Sequence, residues 1–83
     1  MKKITIGEKT IKLTVGDQLT VRELRKIYPL ISKYWDNEIE MVVQVIMALS
    51  DDKNVEDTIN SMTQEEFTEL SEEISKLLDT KKK

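Results

Sequence analysis

An α+β domain, mostly helical behind an N-terminal β-hairpin, is the fold class this sequence predicts, and three patterns carry that reading. Ile4, Ile6, Ile11, Leu13 and Val15 alternate with polar residues on either side of Gly7-Glu8-Lys9, the period of a half-buried strand pair. Thr20-Val-Arg-Glu23 and Thr63-Gln-Glu-Glu66 both have the capping-box form, in which a Thr hydroxyl and a Glu three residues later satisfy each other's backbone amides. Between them, Asp36 to Ser50 contains neither Gly nor Pro and is apolar over most of its circumference, as an enclosed helix is.

Composition narrows the chemistry before any element is placed. Eighty-three residues are expected to form a single domain, 1–83, with a modest core. The chain has no Cys and no His, which removes disulfides, thiolate metal sites and the commonest general base. Neither a secretory leader nor a membrane span is expected, because no apolar run is long enough for either, and a cytoplasmic location follows as the expectation. The formal net charge of -3 hides a strong polarity: residues 1–34 carry +5, residues 35–75 carry -11 and residues 76–83 carry +3. Such blocks either keep helix faces hydrated or steer the basic front of one molecule toward an acidic surface.

The hairpin is placed at about residues 2–15. A four-residue loop, Gly7 to Thr10, would set Ile6 opposite Ile11 and Ile4 opposite Leu13, whereas a three-residue loop would mix apolar and polar residues on one face. The four-residue loop is therefore expected. After the turn Gly16-Asp17-Gln18, a first helix is expected over about 20–28, with Val21, Leu24, Ile27 and Tyr28 inside and Arg22, Arg25 and Lys26 outside. Pro29 disfavours helical geometry in the residue before it, so Leu30 to Trp35 reads as a connector that brings Tyr34 and Trp35 to the entrance of the next helix. These two either cap the core or anchor a partner.

The central helix is expected over about 36–50. At about 100° per residue its polar row is narrow, Glu40 and Gln44 beside Ala48, and apolar side chains fill roughly 240°. Ile39, Val43 and Ile46 mark its core side, while Met41, Val45 and Met47 at the edges are candidate partner-binding residues together with Tyr34 and Trp35. The methionines either fill the core or give adaptable contacts. Asn54 is positioned to cap a short helix over about 55–61, and the second capping box starts a last helix over about 64–79. Phe67, Leu70, Ile74, Leu77 and Leu78 form its single packing face, with Glu65, Glu66, Glu69, Glu72 and Glu73 toward water. Residues 80–83 are expected to be a frayed basic tail.

Few chemistries survive these residues. Read as a calcium loop from Asp52, the acidic stretch puts Asp57 where the turn needs Gly and Thr63 where the ion needs a bidentate Glu, so no metal site is expected. No cofactor loop and no nucleophile–base pair is evident, and a catalytic role is not expected. The basic row Arg22, Arg25, Lys26 and Lys33 with Tyr28 and Tyr34 favours nucleic acid, but the acidic helices that follow would be repelled by phosphate.

The order of features, a short hairpin, Leu19-Thr-Val-Arg-Glu-Leu24, a central apolar helix and Val55 to Leu70, resembles the small tail assembly chaperones of tailed bacteriophages and prophages. In that family a strand pair leads into a Thr-Val-x-x-Leu helix start, here Thr20, Val21 and Leu24. A later segment matches at Ile59, Glu66, Phe67 and Leu70, with Met62 standing where Leu is usual. The resemblance implies a non-enzymatic assembly factor that binds the helical tape measure protein and brings tail tube subunits to it in the host cell cytoplasm. It also raises the prospect of a longer frameshifted product. The wide apolar arc adds the expectation of a homo-oligomer. A different reading is a small regulatory adapter or nucleic-acid-associated protein of a mobile element or bacterium.

Overall fold

The computed structural model describes residues 2–16 and 18–78. Strands β1 (Lys2–Ile6) and β2 (Lys9–Leu13) form an antiparallel hairpin, followed by helices α1 (Val21–Tyr34), α2 (Glu38–Leu49), α3 (Val55–Asn60) and α4 (Gln64–Leu78). The α+β class expected from sequence is the class observed. The expected end of the last helix at Asp79, the basic tail 80–83 and Asp17 of the turn lie outside the described residues.

In the hairpin, Ile4 faces Ile11 and Ile6 faces Lys9 across a two-residue turn, Gly7-Glu8, not the four-residue loop expected. Loops of two and four residues both keep the four apolar side chains on one face, because the strand period is two. Alternation alone excludes only the odd length. What selects the shorter turn is Gly7, whose φ of 61° is the positive value that the first central position of a tight hairpin turn requires. A side chain there would also meet Glu66, since a Cβ on Gly7 would sit 3.0 Å from its Oε2.

The shorter turn places Lys2 and Lys9 on the core-facing side of the hairpin with Ile4, Ile6, Ile11 and Leu13. Lys9 is accommodated by an ion pair: its Nζ donates to Glu66 Oε1 at 3.2 Å, both side chains being partly buried. Glu66 is therefore not simply solvated, as its place on the acidic face suggested. Its carboxylate also accepts from the Thr63 amide at 2.9 Å while its own amide donates to the Thr63 hydroxyl, completing the expected capping box. The Thr63 backbone bond, followed by Lys9, holds the Glu66 carboxyl below its ordinary pKa. A depressed carboxylate adds stability above its unfolded pKa, and that contribution disappears as pH falls through the folded value. Wild type is thus expected to melt above Glu66→Gln at pH 7, with the gap closing as pH drops below the carboxylate range. A gap that did not change with pH would remove Glu66 as the cause.

The apolar face of the hairpin lies on the helices, β1 against α4 and β2 against α3, while α1 packs on α2. Residue Thr14 fastens β2 to the end of α2, its amide and hydroxyl both donating to the Leu49 carbonyl at 2.7 and 2.9 Å. That carbonyl is one of the last four of the helix and has no partner within it. The core gathers Ile4, Ile11, Leu13 and Val15 with Ile27, Val42, Val45, Ile46, Leu49, Leu70 and Ile74.

Helix α1 departs most from expectation. Its start has the predicted capping box, Thr20 N donating to Glu23 at 2.8 Å and Glu23 N to the Thr20 hydroxyl at 3.3 Å. It then runs 14 residues with Pro29 inside, so the supposed connector is its second half. Pro29 and Arg25, the residue whose carbonyl loses its bond, are both exposed, and water can take the place of the missing amide. Continuing the helix keeps Leu24, Ile27 and Ile31 on one inward row, with Ile27 fully buried. Val21 and Tyr28, expected inside, fall on the outer side.

Two smaller boundaries also move. Asn37 caps α2, its side chain accepting from the Glu40 amide at 3.2 Å, so the helix starts after Asp36. The Asn54 side chain makes no capping bond to α3; Asp52 instead holds the approach, its carboxylate accepting from the Asn54 amide at 2.9 Å. Among the described residues, no helix is long and apolar enough to cross a membrane.

Candidate interaction surfaces

Helix α2 decides which apolar side chains stay outside. Val42, Val45, Ile46 and Leu49 are buried in the core, with α1 and α3 packed on the helix. Val43 is buried as well, but Ile39, one turn earlier on the same side, is 64% exposed. Its side chain opens on a groove that, among the described residues, no other element fills. The expected core role of Ile39 is thus corrected.

Beside Ile39 the N-terminal half of α2 and the α3–α4 corner leave a groove of about 910 Å³. Ile39, Val43, Ile59, Met62 and Phe67 supply its apolar lining, and Glu38, Glu72 and Lys76 stand at its margin. Lys76 Nζ lies 3.4 Å from Glu73. Glu38 and Glu72 have no ion-pair partner among the described residues, which leaves the groove margin acidic. The corner is fixed by the Thr63–Glu66 capping box and by the Met62 amide, which donates to the Ile59 carbonyl at 3.0 Å.

A second surface runs along the outside of α1. Val21, Tyr28 and Trp35 are 71%, 58% and 74% exposed, and their spacing of seven residues puts them in one row. Arg25 lies within that row, and Arg22, Lys26 and Lys33 follow its flank. Lys33 Nζ sits 5.4 Å from the centroid of the Tyr34 ring, within range of a cation–π contact.

The five residues singled out from sequence do not form one patch. Trp35 is exposed at the C-cap position of α1, and the neighbouring Tyr34 is half-buried. On α2, Met47 is 37% exposed, Met41 is half-buried against the core, and Val45 has no exposed surface at all. Val45 is accordingly a core residue and not an interface edge: at about 100° per residue it shares the buried side of Val42 and Leu49. Sequence reading missed Met62 and Phe67 as groove residues: Phe67 fits the packing stripe of α4, and Met62 falls in the short connection between the last two helices, where no periodicity marks it. The Val21–Tyr28–Trp35 row was readable only with the helix carried through Pro29.

Among the described residues, no group of three Asp or Glu side chains is placed to hold a metal ion. The arrangement offers apolar docking surfaces of opposite charge. Comparison of the chain with protein-family models, with curated proteins and with solved structures gives no match.

Proposed function

We propose that this chain is a non-enzymatic tail assembly chaperone of a phage or prophage that shelters helical segments of the tape measure protein and helps recruit tail tube subunits in the host cell cytoplasm. The observation that carries the reading is the open groove of about 910 Å³ between α2 and the α3–α4 corner. Its lining of Ile39, Val43, Ile59, Met62 and Phe67 suits the apolar row of a client helix. Met62 can repack around different side chains because it is unbranched and polarizable. The glutamates of α4 outside the groove, Glu65 and Glu69 among them, are exposed and would keep a loaded complex hydrated.

Co-expression with fragments of a tape measure protein tests this directly. Wild type is expected to raise the soluble yield of at least one fragment severalfold, and Ile39→Asp to abolish the gain while leaving the fold intact, since Ile39 is mostly exposed. Met47→Asp, two turns away on α2, is expected to keep the gain. The reading fails if no fragment responds to wild type.

The α1 surface favours a second reading, a small nucleic-acid-associated adapter, because Arg22, Arg25, Lys26 and Lys33 lie beside exposed Tyr28 and Trp35. Retardation of a generic duplex at low salt, lost in Arg25→Glu, would support it.

A further inference from the structure

We propose that the outer row of α1 in one copy docks into the α2–α4 groove of a second copy, head to tail. The inference goes beyond the chaperone reading and does not depend on it.

The two surfaces complement each other in chemistry. The row offers Val21, Tyr28 and Trp35 exposed, with Arg22, Arg25 and Lys26 making no ion pair among the described residues. The groove offers an apolar lining with Glu38 and Glu72 unpaired at its margin. Row against groove sets apolar against apolar and basic against acidic. Row against row, or groove against groove, sets like charges together, which disfavours a symmetric pairing through either surface. The whole chain has the same polarity, +5 over residues 1–34 and -11 over residues 35–75, so two copies attract in the head-to-tail orientation from a distance.

Placement points the same way. The start of α1 meets α2 at Ala48, which lines a small cavity with Thr20, Glu23 and Lys26. Ile39 and Val43 face the groove from about 140° to 180° farther round the α2 axis. The start of α1 and the groove therefore lie on opposite flanks of α2, which keeps the Val21 end of the row away from the groove of its own copy. A contact of this kind repeats, closing into a ring or extending as a chain according to the rotation between copies.

Size sets the strength. Val21 to Trp35 spans about 21 Å at 1.5 Å per residue, most of a domain whose extents are 30 × 28 × 27 Å. Two aromatic side chains bury about 150–250 Å² each, which with their flanks places the contact at the low end of specific interfaces. Association is therefore expected to be weak and reversible.

Sedimentation velocity and the emission of Trp35, the single tryptophan, test the proposal on the full chain. At low salt, mass is expected to rise with concentration over roughly 5–500 µM, with a blue shift as Trp35 leaves water, and to fall again when salt screens the charges. Trp35→Glu and Ile39→Lys change mostly exposed side chains, and each alone is expected to weaken association by about 30-fold. An equimolar mixture of the two is decisive: each retains one good surface, so the mixture should give dimers and nothing larger. Arg25→Glu, a second variant of the row, should behave as Trp35→Glu does. The proposal is overturned if wild type stays monomeric across the range, if either variant oligomerises like wild type, or if the folded mixture remains monomeric.

Discussion

Val45→Asp is expected to leave this chain unfolded at 25 °C, with no cooperative urea transition by circular dichroism. Val45 has no exposed surface and sits in the core with Val42, Ile46 and Leu49. An aspartate there loses the packing of the valine and buries a carboxylate with no cation opposite it, a combination worth several kcal/mol. At about 0.05–0.15 kcal/mol per residue, a domain of this length has roughly 4–12 kcal/mol in total. The substitution therefore removes most or all of the stability. Met47→Asp, two residues on and 37% exposed, should change stability by less than about 1 kcal/mol. A cooperative Val45→Asp transition near that of wild type would contradict the enclosure of Val45.

Val45 and Ile39 together show where sequence reading stops. The wide apolar arc of α2 announces that the helix is enclosed, and it is. The arc carries no mark of which edge the rest of the chain covers, since Val45 and Ile39 are equally apolar. Coverage is decided by the hairpin tied through Thr14 to the Leu49 carbonyl and by α1 on the adjoining flank, both long-range placements. The result is a Val45 with no exposed surface and an Ile39 that is mostly exposed. The same limit applies to the hairpin. Alternation identifies both strands and the buried face, but two-residue and four-residue turns satisfy it equally, and only the backbone demand on Gly7 separates them. Once the shorter turn is adopted, Lys9 must find an acid, and the capping glutamate of α4 meets that need. Capping boxes were the most legible features because their bonds span only three residues.

The groove was not legible for a related reason. The stripe of α4 looks complete in sequence, with Leu70, Ile74 and Leu77 buried as expected, yet Phe67 at its start is only half-buried and lines the groove. An amphipathic pattern states which face a helix buries, not how closely a neighbour approaches along its length. The groove depends on the α3–α4 corner as well, and that corner is held by bonds among Ile59, Met62, Thr63 and Glu66. The acidic margin, in contrast, is written directly in the charge blocks.

Pro29→Ala is expected to stabilise the domain by about 2 kcal/mol. Proline in a helix interior removes one backbone bond and crowds the carbonyl four residues back, a penalty of about 3 kcal/mol relative to alanine. Part of that is recovered because proline also restricts the unfolded chain, by about 0.4–1 kcal/mol. The exposed setting of Pro29 means that alanine gives up little packing. For a domain of 60–100 residues, each kcal/mol moves the melting temperature by about 4–8 °C, so the midpoint should rise by roughly 8–16 °C. An unchanged or lowered midpoint would mean that α1 ends near Tyr28, as Pro29 suggests from sequence alone. The distinction matters beyond stability. Val21, Tyr28 and Trp35 form one row only if the helix is continuous from Val21 to Tyr34, and breaking it at Pro29 would turn Trp35 away from Tyr28. Because the substitution restores the Arg25 carbonyl's partner without touching that row, Pro29→Ala should also preserve self-association, and loss of association in the stabilised variant would count against the row.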